Sequence, residues 1–127
     1  MKINFFDIPR SIKSFKYALK GLKHIIMMEN NFRIHLLAAF MVIIIGLFLN
    51  LTLNEWILLV IVSDMIIIIM EIVNTAIERI VDFITPDYTN EAGIIKDIGA
   101  SAVFLSAIVA LIVGLYVFIP KIADKFL

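Results

Sequence analysis

Four carboxylates lie on one face of the helix that residues 64–82 would form, at the end of a long apolar run. Asp64, Glu71, Glu78 and Asp82 fall within roughly 40° of one another at the α-helical turn of about 100° per residue. A charge at mid-bilayer costs at least about 2.5 kcal/mol, so these side chains must face a protein interior or a wet cleft. We call these four residues the acidic stripe and regard it as the first candidate site, because intramembrane carboxylates are functional candidates by default.

The spacing within the stripe favours some chemistry and excludes other chemistry. Glu71 and Glu78 are about 10 Å apart along a helix axis, which is too far for the carboxylate pair of a retaining glycosidase. The distance suits a base near the membrane interface and a metal ligand nearer the cytosol. Oxygen ligands without cysteine suit Mg²⁺, which proteins usually bind with one or two carboxylates plus phosphates. Glu29 could supply the second carboxylate, and Lys96 could neutralise phosphate.

These residue types together suggest phosphoryl transfer to a lipid hydroxyl. The chain has no Walker A motif and no Gly-rich kinase loop, so it contains no soluble nucleotide-binding fold of either kind. A structural interpretation stays open, in which the carboxylates bond to polar groups on neighbouring helices and set the register of the bundle.

The elements that must position these residues follow from the composition. The chain has 127 residues and is 62% hydrophobic, whereas soluble domains are about half apolar. Its apolar residues form three segments, 34–53, 56–76 and 98–119, each close to the roughly 20 residues that a helix needs to span a bilayer. Spanning segments are helical because the backbone must satisfy its own hydrogen bonds in lipid. The absence of cysteine excludes disulfides and thiolate chemistry.

A fourth helix is predicted at residues 8–28, before the first span. Its apolar residues recur at spacings of three and four, and lysines occupy a neighbouring face. This pattern is typical of a basic amphipathic helix that lies on the anionic surface of the cytoplasmic leaflet. A soluble helix packed against a partner protein is the alternative.

The distribution of lysine and arginine predicts the orientation in the membrane. All but Lys121 and Lys125 lie either before the first span or between the second and third spans. Positive residues concentrate on the cytoplasmic side of membrane proteins. We therefore expect the N-terminus and the loop between the second and third spans to be cytoplasmic, and the C-terminus to be outside.

Four short sequences resemble a known family, the small prokaryotic integral-membrane lipid kinases that comprise diacylglycerol kinase and undecaprenol kinase. They are ENNFRIH at 29–35, EIVNTAIERIVD at 71–82, TPDY at 85–88 and KDIGASAV at 96–103. Their order and spacing also match, and the similarity covers nearly the whole chain. The resemblance implies a homotrimer of three-span protomers, each with an N-terminal surface helix, whose active sites form between protomers and use MgATP.

The resemblance also implies roles for individual positions. Glu71 matches the catalytic base that acts on the lipid substrate, and Glu29 and Glu78 match the carboxylates that hold the metal of MgATP. Nucleotide contacts match eight further positions, which lie in the surface helix, in the motif at 71–82, in the loop and just before the third span. These are Arg10, Tyr17, Asn74, Asp87, Tyr88, Thr89, Lys96 and Asp97.

Some positions bear on the lipid acceptor. Ala100 stands where the diacylglycerol kinase branch has serine, and the sequences at 33–35 and 85–88 look like the undecaprenol kinase branch. Asp64 stands where an apolar residue is usual in the family. We therefore predict undecaprenol as the acceptor and keep diacylglycerol as the alternative.

The combined prediction is an all-α membrane enzyme with residues 1–127 as one lipid kinase domain. We expect a homotrimer in the bacterial cytoplasmic membrane that uses ATP and Mg²⁺, binds a lipid alcohol and has no nucleic-acid partner. Two other classes stay open on the residues alone. One is a non-catalytic membrane subunit whose acidic stripe binds a partner's basic helix, and the other is a proton or cation carrier that uses Asp64 and Glu71.

Overall fold

A computed structural model describes residues 8–126 of the chain, with side chains from residue 11 onward. The described residues form helices α1 (Ile8–Met28), α2 (Asn30–Phe48), α3 (Leu53–Trp56), α4 (Met65–Ile84) and α5 (Asn90–Phe126), with a π-helical segment at Ile57–Asp64. Within this part of the chain, three helices are long and apolar enough to cross a membrane: Asn30–Phe48, Leu53–Ile84 and Asn90–Phe126. The predicted all-α class, an N-terminal helix followed by three long apolar helices, is confirmed.

Helix α1 precedes the first spanning helix with only one residue between them. Glu29 has extended backbone angles of φ −105° and ψ 117°, which interrupt the helical path. Most apolar side chains that the structure describes on α1 are exposed in the protomer, among them Ile12 at 64% and Phe15 at 68%. These exposed apolar side chains need another apolar surface to pack against, and we predict that the membrane surface provides it.

The turn after α2 corrects the predicted end of the first span. The sequence predicts that this span continues to Leu53, whereas α2 ends at Phe48. Asn50 has a positive φ of 52°, a conformation that asparagine tolerates and that does not continue a helix. Thr52 then caps the next helix, because its hydroxyl oxygen accepts from the backbone N–H of Glu55 at 3.5 Å and its own backbone N–H donates to the Glu55 carboxylate at 2.7 Å. This capping box makes Leu53 the first residue of the following helix rather than the last residue of a span.

The second and third long helices extend beyond the predicted 56–76 and 98–119. The second continues to Ile84 and the third begins at Asn90, so both project polar turns past their apolar segments. Thr85 follows the last residue of the second helix and has non-helical angles of φ −130° and ψ 83°. It precedes Pro86, and the residue before a proline is disfavoured in the helical conformation. The apolar length of a segment therefore underestimates the helix that contains it.

The protomer has a very small buried core. Phe32, Leu59 and Val117 are at most 2% exposed, whereas most large apolar side chains on the three long helices are open to their surroundings. At the end of the bundle near the turn after α2, Lys121 pairs with Glu55 at 3.1 Å. Nearby, Lys125 donates to the Phe48 carbonyl at 2.6 Å. These contacts hold the end of α5 beside the turn.

Candidate functional site

An acidic cleft of about 290 Å³ lies between α2, α4 and α5. Glu71, Asn74 and Glu78 of α4 form one wall, because spacings of three and four residues place side chains on the same helix face. Asn31 and His35 of α2 form another wall. Helix α5 supplies an apolar wall, which consists of Ala100, Val103, Phe104 and Ala107. The cleft therefore combines carboxylates with a surface that suits an apolar molecule.

The polar wall of the cleft is buried and internally bonded. Glu71 is 4% exposed and Asn74 is 6% exposed. The Asn74 amide donates from Nδ2 to Oε1 of Glu78 at 3.0 Å. Among the described residues, Asn74 Oδ1 is buried and accepts no hydrogen bond. Glu71 thus lies deep in the cleft, while Glu78 lies about two helical turns further along α4 and is held there by Asn74.

Glu29, the other predicted metal ligand, is engaged elsewhere in the protomer. It forms an ion pair with Arg79 of α4, with Arg79 Nη2 and Glu29 Oε1 2.5 Å apart. Glu29 does not line the acidic cleft. Within residues 11–126, no group of three or more histidine, aspartate and glutamate side chains is close enough to hold a metal ion.

The donor set nevertheless suits Mg²⁺ when it is bound together with phosphates. The ion usually takes one or two carboxylates and keeps the rest of its shell for phosphate oxygens and water. Glu78 is an oxygen ligand of this kind, because it lines the cleft and the Asn74 amide holds one of its carboxylate oxygens at 3.0 Å. Mg²⁺ bound in this way does not require a complete set of ligands from the protein.

A second hollow of about 290 Å³ lies at the loop between α4 and α5. Three predicted nucleotide contacts, Asp87, Tyr88 and Lys96, line this loop hollow. Lys96 is paired there with Asp82, with Nζ and Oδ1 2.5 Å apart. Thr89 has a structural role as well, because its hydroxyl accepts from the backbone N–H of Ala92 at 3.2 Å in the first turn of α5.

The remaining predicted contacts lie apart from both hollows. Tyr17 is 69% exposed on α1, and Asp97 is exposed on α5. Neither lines the acidic cleft or the loop hollow. Arg10 belongs to α1, but its side chain falls outside the described residues. The protomer therefore brings together Glu71, Asn74 and Glu78 in one place and Asp87, Tyr88 and Lys96 in another.

Asn31 and His35 are cleft residues that belong to the motif at 29–35 but were given no site role from the sequence. A lone histidine at the start of a span is typically an interfacial hydrogen-bonding residue, so nothing in its type marked it. The structure places it in the cleft wall opposite Glu71. Asn31 and His35 are four residues apart on α2, and this spacing is the signal that could have placed them on one face.

Asp64, the first member of the acidic stripe, lies outside the acidic cleft. It ends the π-helical segment, where the winding differs from that of α4. Its Oδ2 atom is buried and has no hydrogen-bond partner among residues 11–126. We predict that Asp64 faces the interior of the expected trimer, because a carboxylate that faces lipid near mid-bilayer is the costlier option.

We expect Asp64→Leu to keep kinase activity near the wild-type value. Asp64 is about 10 Å from Glu71 along the helix, and replacing an unsatisfied buried polar group by an apolar one is nearly neutral or stabilising. Activity in mixed micelles and thermal unfolding of the purified protein are the measurements. Loss of activity with unchanged thermal unfolding would instead place Asp64 in the reaction path.

Three membrane-length helices around a buried carboxylate cleft define a small polytopic membrane protein with an enzyme-like site. The model of the family "Prokaryotic diacylglycerol kinase" matches residues 16–118. Undecaprenol kinase of Bacillus subtilis (strain 168) is 37% identical over 117 residues, which cover 91% of this chain and 94% of that protein. Diacylglycerol kinase of Escherichia coli (strain K12) is 37% identical over 112 residues, which cover 88% of this chain and 91% of that protein. Diacylglycerol kinase of Synechocystis sp. is 36% identical over 115 residues, which cover 90% of this chain and 65% of that protein.

The chain belongs to the prokaryotic diacylglycerol kinase family. It is a membrane lipid kinase that transfers a phosphoryl group to an alcohol, and the kinase relatives imply a nucleotide as phosphoryl donor. This assignment decides against the non-catalytic subunit and the ion carrier, which the residues alone left open.

Proposed function

We propose that this protein phosphorylates the hydroxyl of undecaprenol with MgATP to give undecaprenyl phosphate, with diacylglycerol as the second candidate acceptor. The observation that carries the proposal is the acidic cleft, in which a buried carboxylate faces a small and apolar wall. A lipid alcohol has the matching chemistry, because its chain can lie against the apolar wall while its hydroxyl reaches Glu71. The 37% identity to undecaprenol kinase of Bacillus subtilis supports the choice of acceptor.

Glu71 acts as the general base in this proposal. Its carboxylate accepts the proton of the lipid hydroxyl as that oxygen bonds to the γ-phosphorus of ATP. The bond between the γ-phosphorus and the bridging oxygen breaks at the same time, and ADP leaves with the bridging oxygen. The burial of Glu71, at 4% exposure, keeps water away from the carboxylate and so favours the lipid over water as acceptor.

Glu78 and Glu29 would hold Mg²⁺ together with the phosphates, with Asn74 positioning Glu78 through its amide. When bound, the ion neutralises the charge that develops on the phosphoryl oxygens. Glu29 is paired with Arg79 in the protomer, so it must exchange this arginine for the metal. The exchange leaves Arg79 free at the cytoplasmic end of α4, where it can face phosphate.

The loop hollow supplies the nucleotide end of the proposed site. Lys96 and Tyr88 lie in it, while Asp97 is exposed on the neighbouring turn of α5. Arg10, Tyr17, Asp87 and Thr89 complete the proposed nucleotide contacts. Because Tyr17 is exposed on α1 and lines neither hollow, we propose that the nucleotide lies between two protomers.

We further propose a homotrimer in the bacterial cytoplasmic membrane with a cytoplasmic N-terminus. The very small protomer core supports assembly, because helices that enclose little interior need neighbours to bury polar side chains in lipid. The distribution of lysine and arginine supports the orientation. In the proposed orientation, α1 and the loop hollow lie on the cytoplasmic side, where ATP is available.

The acceptor is tested by measuring kcat/KM for undecaprenol and diacylglycerol in the same micelles. Ala100 lines the acidic cleft, where the diacylglycerol branch has a serine hydroxyl able to bond a glyceride ester. One such bond contributes roughly 0.5–1.5 kcal/mol, so we expect at most about a tenfold preference for undecaprenol and measurable diacylglycerol turnover.

The variant Ala100→Ser sharpens this test. It should raise the kcat/KM for diacylglycerol and leave that for undecaprenol unchanged, because a polyprenol has no ester to accept the new hydrogen bond. A wild-type value for diacylglycerol equal to or above that for undecaprenol would contradict the proposed acceptor. The lipid kinase assignment would be unaffected.

A further inference from the structure

Gly99 of α5 lies at a position where a side chain would collide with Asn74 of α4. A Cβ added at position 99 would lie 2.6 Å from Asn74 Oδ1, whereas the next nearest atoms, Asn74 Cγ and Ile77 Cδ1, are 3.7 Å away. Real Cβ atoms essentially never approach another atom within 3.0 Å. A single amide oxygen therefore occupies the space that any other residue at position 99 would need.

The orientation of that amide is set by chemistry. An ionised carboxylate can only accept hydrogen bonds, so the Asn74 group that faces Glu78 must be the NH₂ group. Nδ2 donates to Glu78 Oε1 at 3.0 Å, and Oδ1 is thereby turned away from Glu78 and towards Gly99. The side chain is 6% exposed, so it has little room to adopt another orientation.

We propose that Gly99 is a positioning residue of the nucleotide site, which acts by leaving room for the Asn74 amide that holds Glu78. The inference rests on the proposed role of Glu78 in binding the metal and phosphates. The absence of a side chain at Gly99 leaves the space that Oδ1 fills, while the hydrogen bond to Glu78 fixes the NH₂ group of the same amide. Glycine is required at position 99 because any Cβ there would lie 2.6 Å from Asn74 Oδ1.

A methyl group at position 99 has one principal consequence. Asparagine has two side-chain torsions, and its carbonyl oxygen cannot withdraw without moving the NH₂ group of the same planar amide. The hydrogen bond to Glu78 is therefore lengthened or lost, and Glu78 is released from its position in the cleft. The methyl group at position 99 therefore changes the nucleotide site by moving Asn74. It does not touch Glu71.

The first experiment compares Gly99→Ala with Gly114→Ala in the full chain purified in micelles. Both glycines lie in α5, and a Cβ at Gly114 would meet nothing within 4 Å. We expect Gly99→Ala to weaken Mg²⁺-dependent ATP binding about tenfold, which is the effect of losing one hydrogen bond to a charged group. The KM for the lipid should stay unchanged, and Gly114→Ala should behave like the wild type.

The second experiment is a double-mutant cycle that separates positioning from general packing. The Asn74→Ala variant lacks the Oδ1 atom that a Cβ at position 99 would meet, so adding Gly99→Ala to it should cause no further loss of ATP binding. If Gly99→Ala does not accumulate as folded protein, the double variant should restore both folding and the binding of Asn74→Ala. Equal losses in the two backgrounds, or wild-type ATP binding by Gly99→Ala, would overturn the inference.

Failure of this inference is distinguishable from failure of the proposed function. The wild-type protein is assayed for phosphorylation of undecaprenol in the same micelles. Wild-type turnover together with an unaffected Gly99→Ala variant would reject the positioning role alone. A wild type that binds MgATP but phosphorylates neither lipid would reject the proposed acceptor, whatever the cycle shows.

Discussion

Replacing Glu71 by glutamine will lower lipid phosphorylation by at least about 100-fold, because general-base catalysis typically contributes 10²–10⁴-fold. Glutamine has the same shape as glutamate and can occupy the same buried position in the cleft, but its amide cannot accept the hydroxyl proton. We therefore expect folding, oligomeric state and MgATP affinity to be unchanged. The measurements are kcat in mixed micelles and equilibrium binding of MgATP.

Glu55→Gln provides a matched control for this prediction. Glu55 lies at the opposite end of the same long helix, where it completes the capping box with Thr52. Glutamine is accepted at that position of a capping box, so activity should be close to the wild-type value. Near-wild-type turnover of Glu71→Gln would remove Glu71 from the mechanism, whereas a loss in both variants would indicate that removing either carboxylate disturbs the bundle.

Replacing Glu78 by glutamine will weaken the Mg²⁺-dependent binding of ATP by about tenfold or more, which corresponds to the loss of a hydrogen-bonded ionic contact. Glu78 lines the cleft and accepts a hydrogen bond from Asn74 at 3.0 Å. Glutamine removes the negative charge that attracts the metal and leaves the shape of the wall intact. The measurement is a titration of Mg²⁺ at a fixed concentration of ATP, followed by nucleotide binding.

The comparison of the two glutamine variants tests the division of roles between them. Glu71→Gln should lose turnover and keep MgATP binding, whereas Glu78→Gln should lose binding at low Mg²⁺ and recover part of it at high Mg²⁺. If both variants bind MgATP like the wild type, the assignment of Glu78 to the metal is wrong. If both lose binding to the same extent, Glu71 also contributes to the metal site.

The pairing of Glu29 with Arg79 gives the proposed metal site a further property. In the protomer this carboxylate already has a cationic partner, so binding of the metal requires an exchange and not a simple addition. The same holds for Lys96, which pairs with Asp82 before any phosphate is present. Both ion pairs are at the end of the bundle that carries the loop hollow, and both are partly exposed to water. Such exposed pairs contribute little free energy, so a nucleotide with its metal can displace them.

Several features of this protein were determined by local sequence alone. The apolar segments predict three spanning helices because each helix must satisfy its own backbone in lipid. The spacing of Glu71, Asn74 and Glu78 places them on one face because residues three and four apart are neighbours on a helix. The motif at residues 71–82 was sufficient to indicate the family, which the comparisons confirm.

The ends of the helices were only partly predictable. Thr85 before Pro86 marks the end of the second helix, but the apolar pattern stops several residues earlier. The end of α2 at Phe48 depends on the positive φ of Asn50 and on the bonds between Thr52 and Glu55. These are turn interactions, and a sum of hydropathy over a segment does not contain them.

Only the tertiary structure decided which residues meet across helices. The pairing of Glu29 with Arg79 joins residues 50 positions apart, and the position of His35 in the wall opposite Glu71 depends on how α2 packs against α4. The contact between Gly99 and Asn74 depends on the separation of α4 and α5. Helical periodicity specifies which side chains share a face, but it contains no information on which neighbouring helix that face meets or at what distance. Those choices come from packing between elements that are distant in sequence, and for this reason they appeared only in the folded protomer.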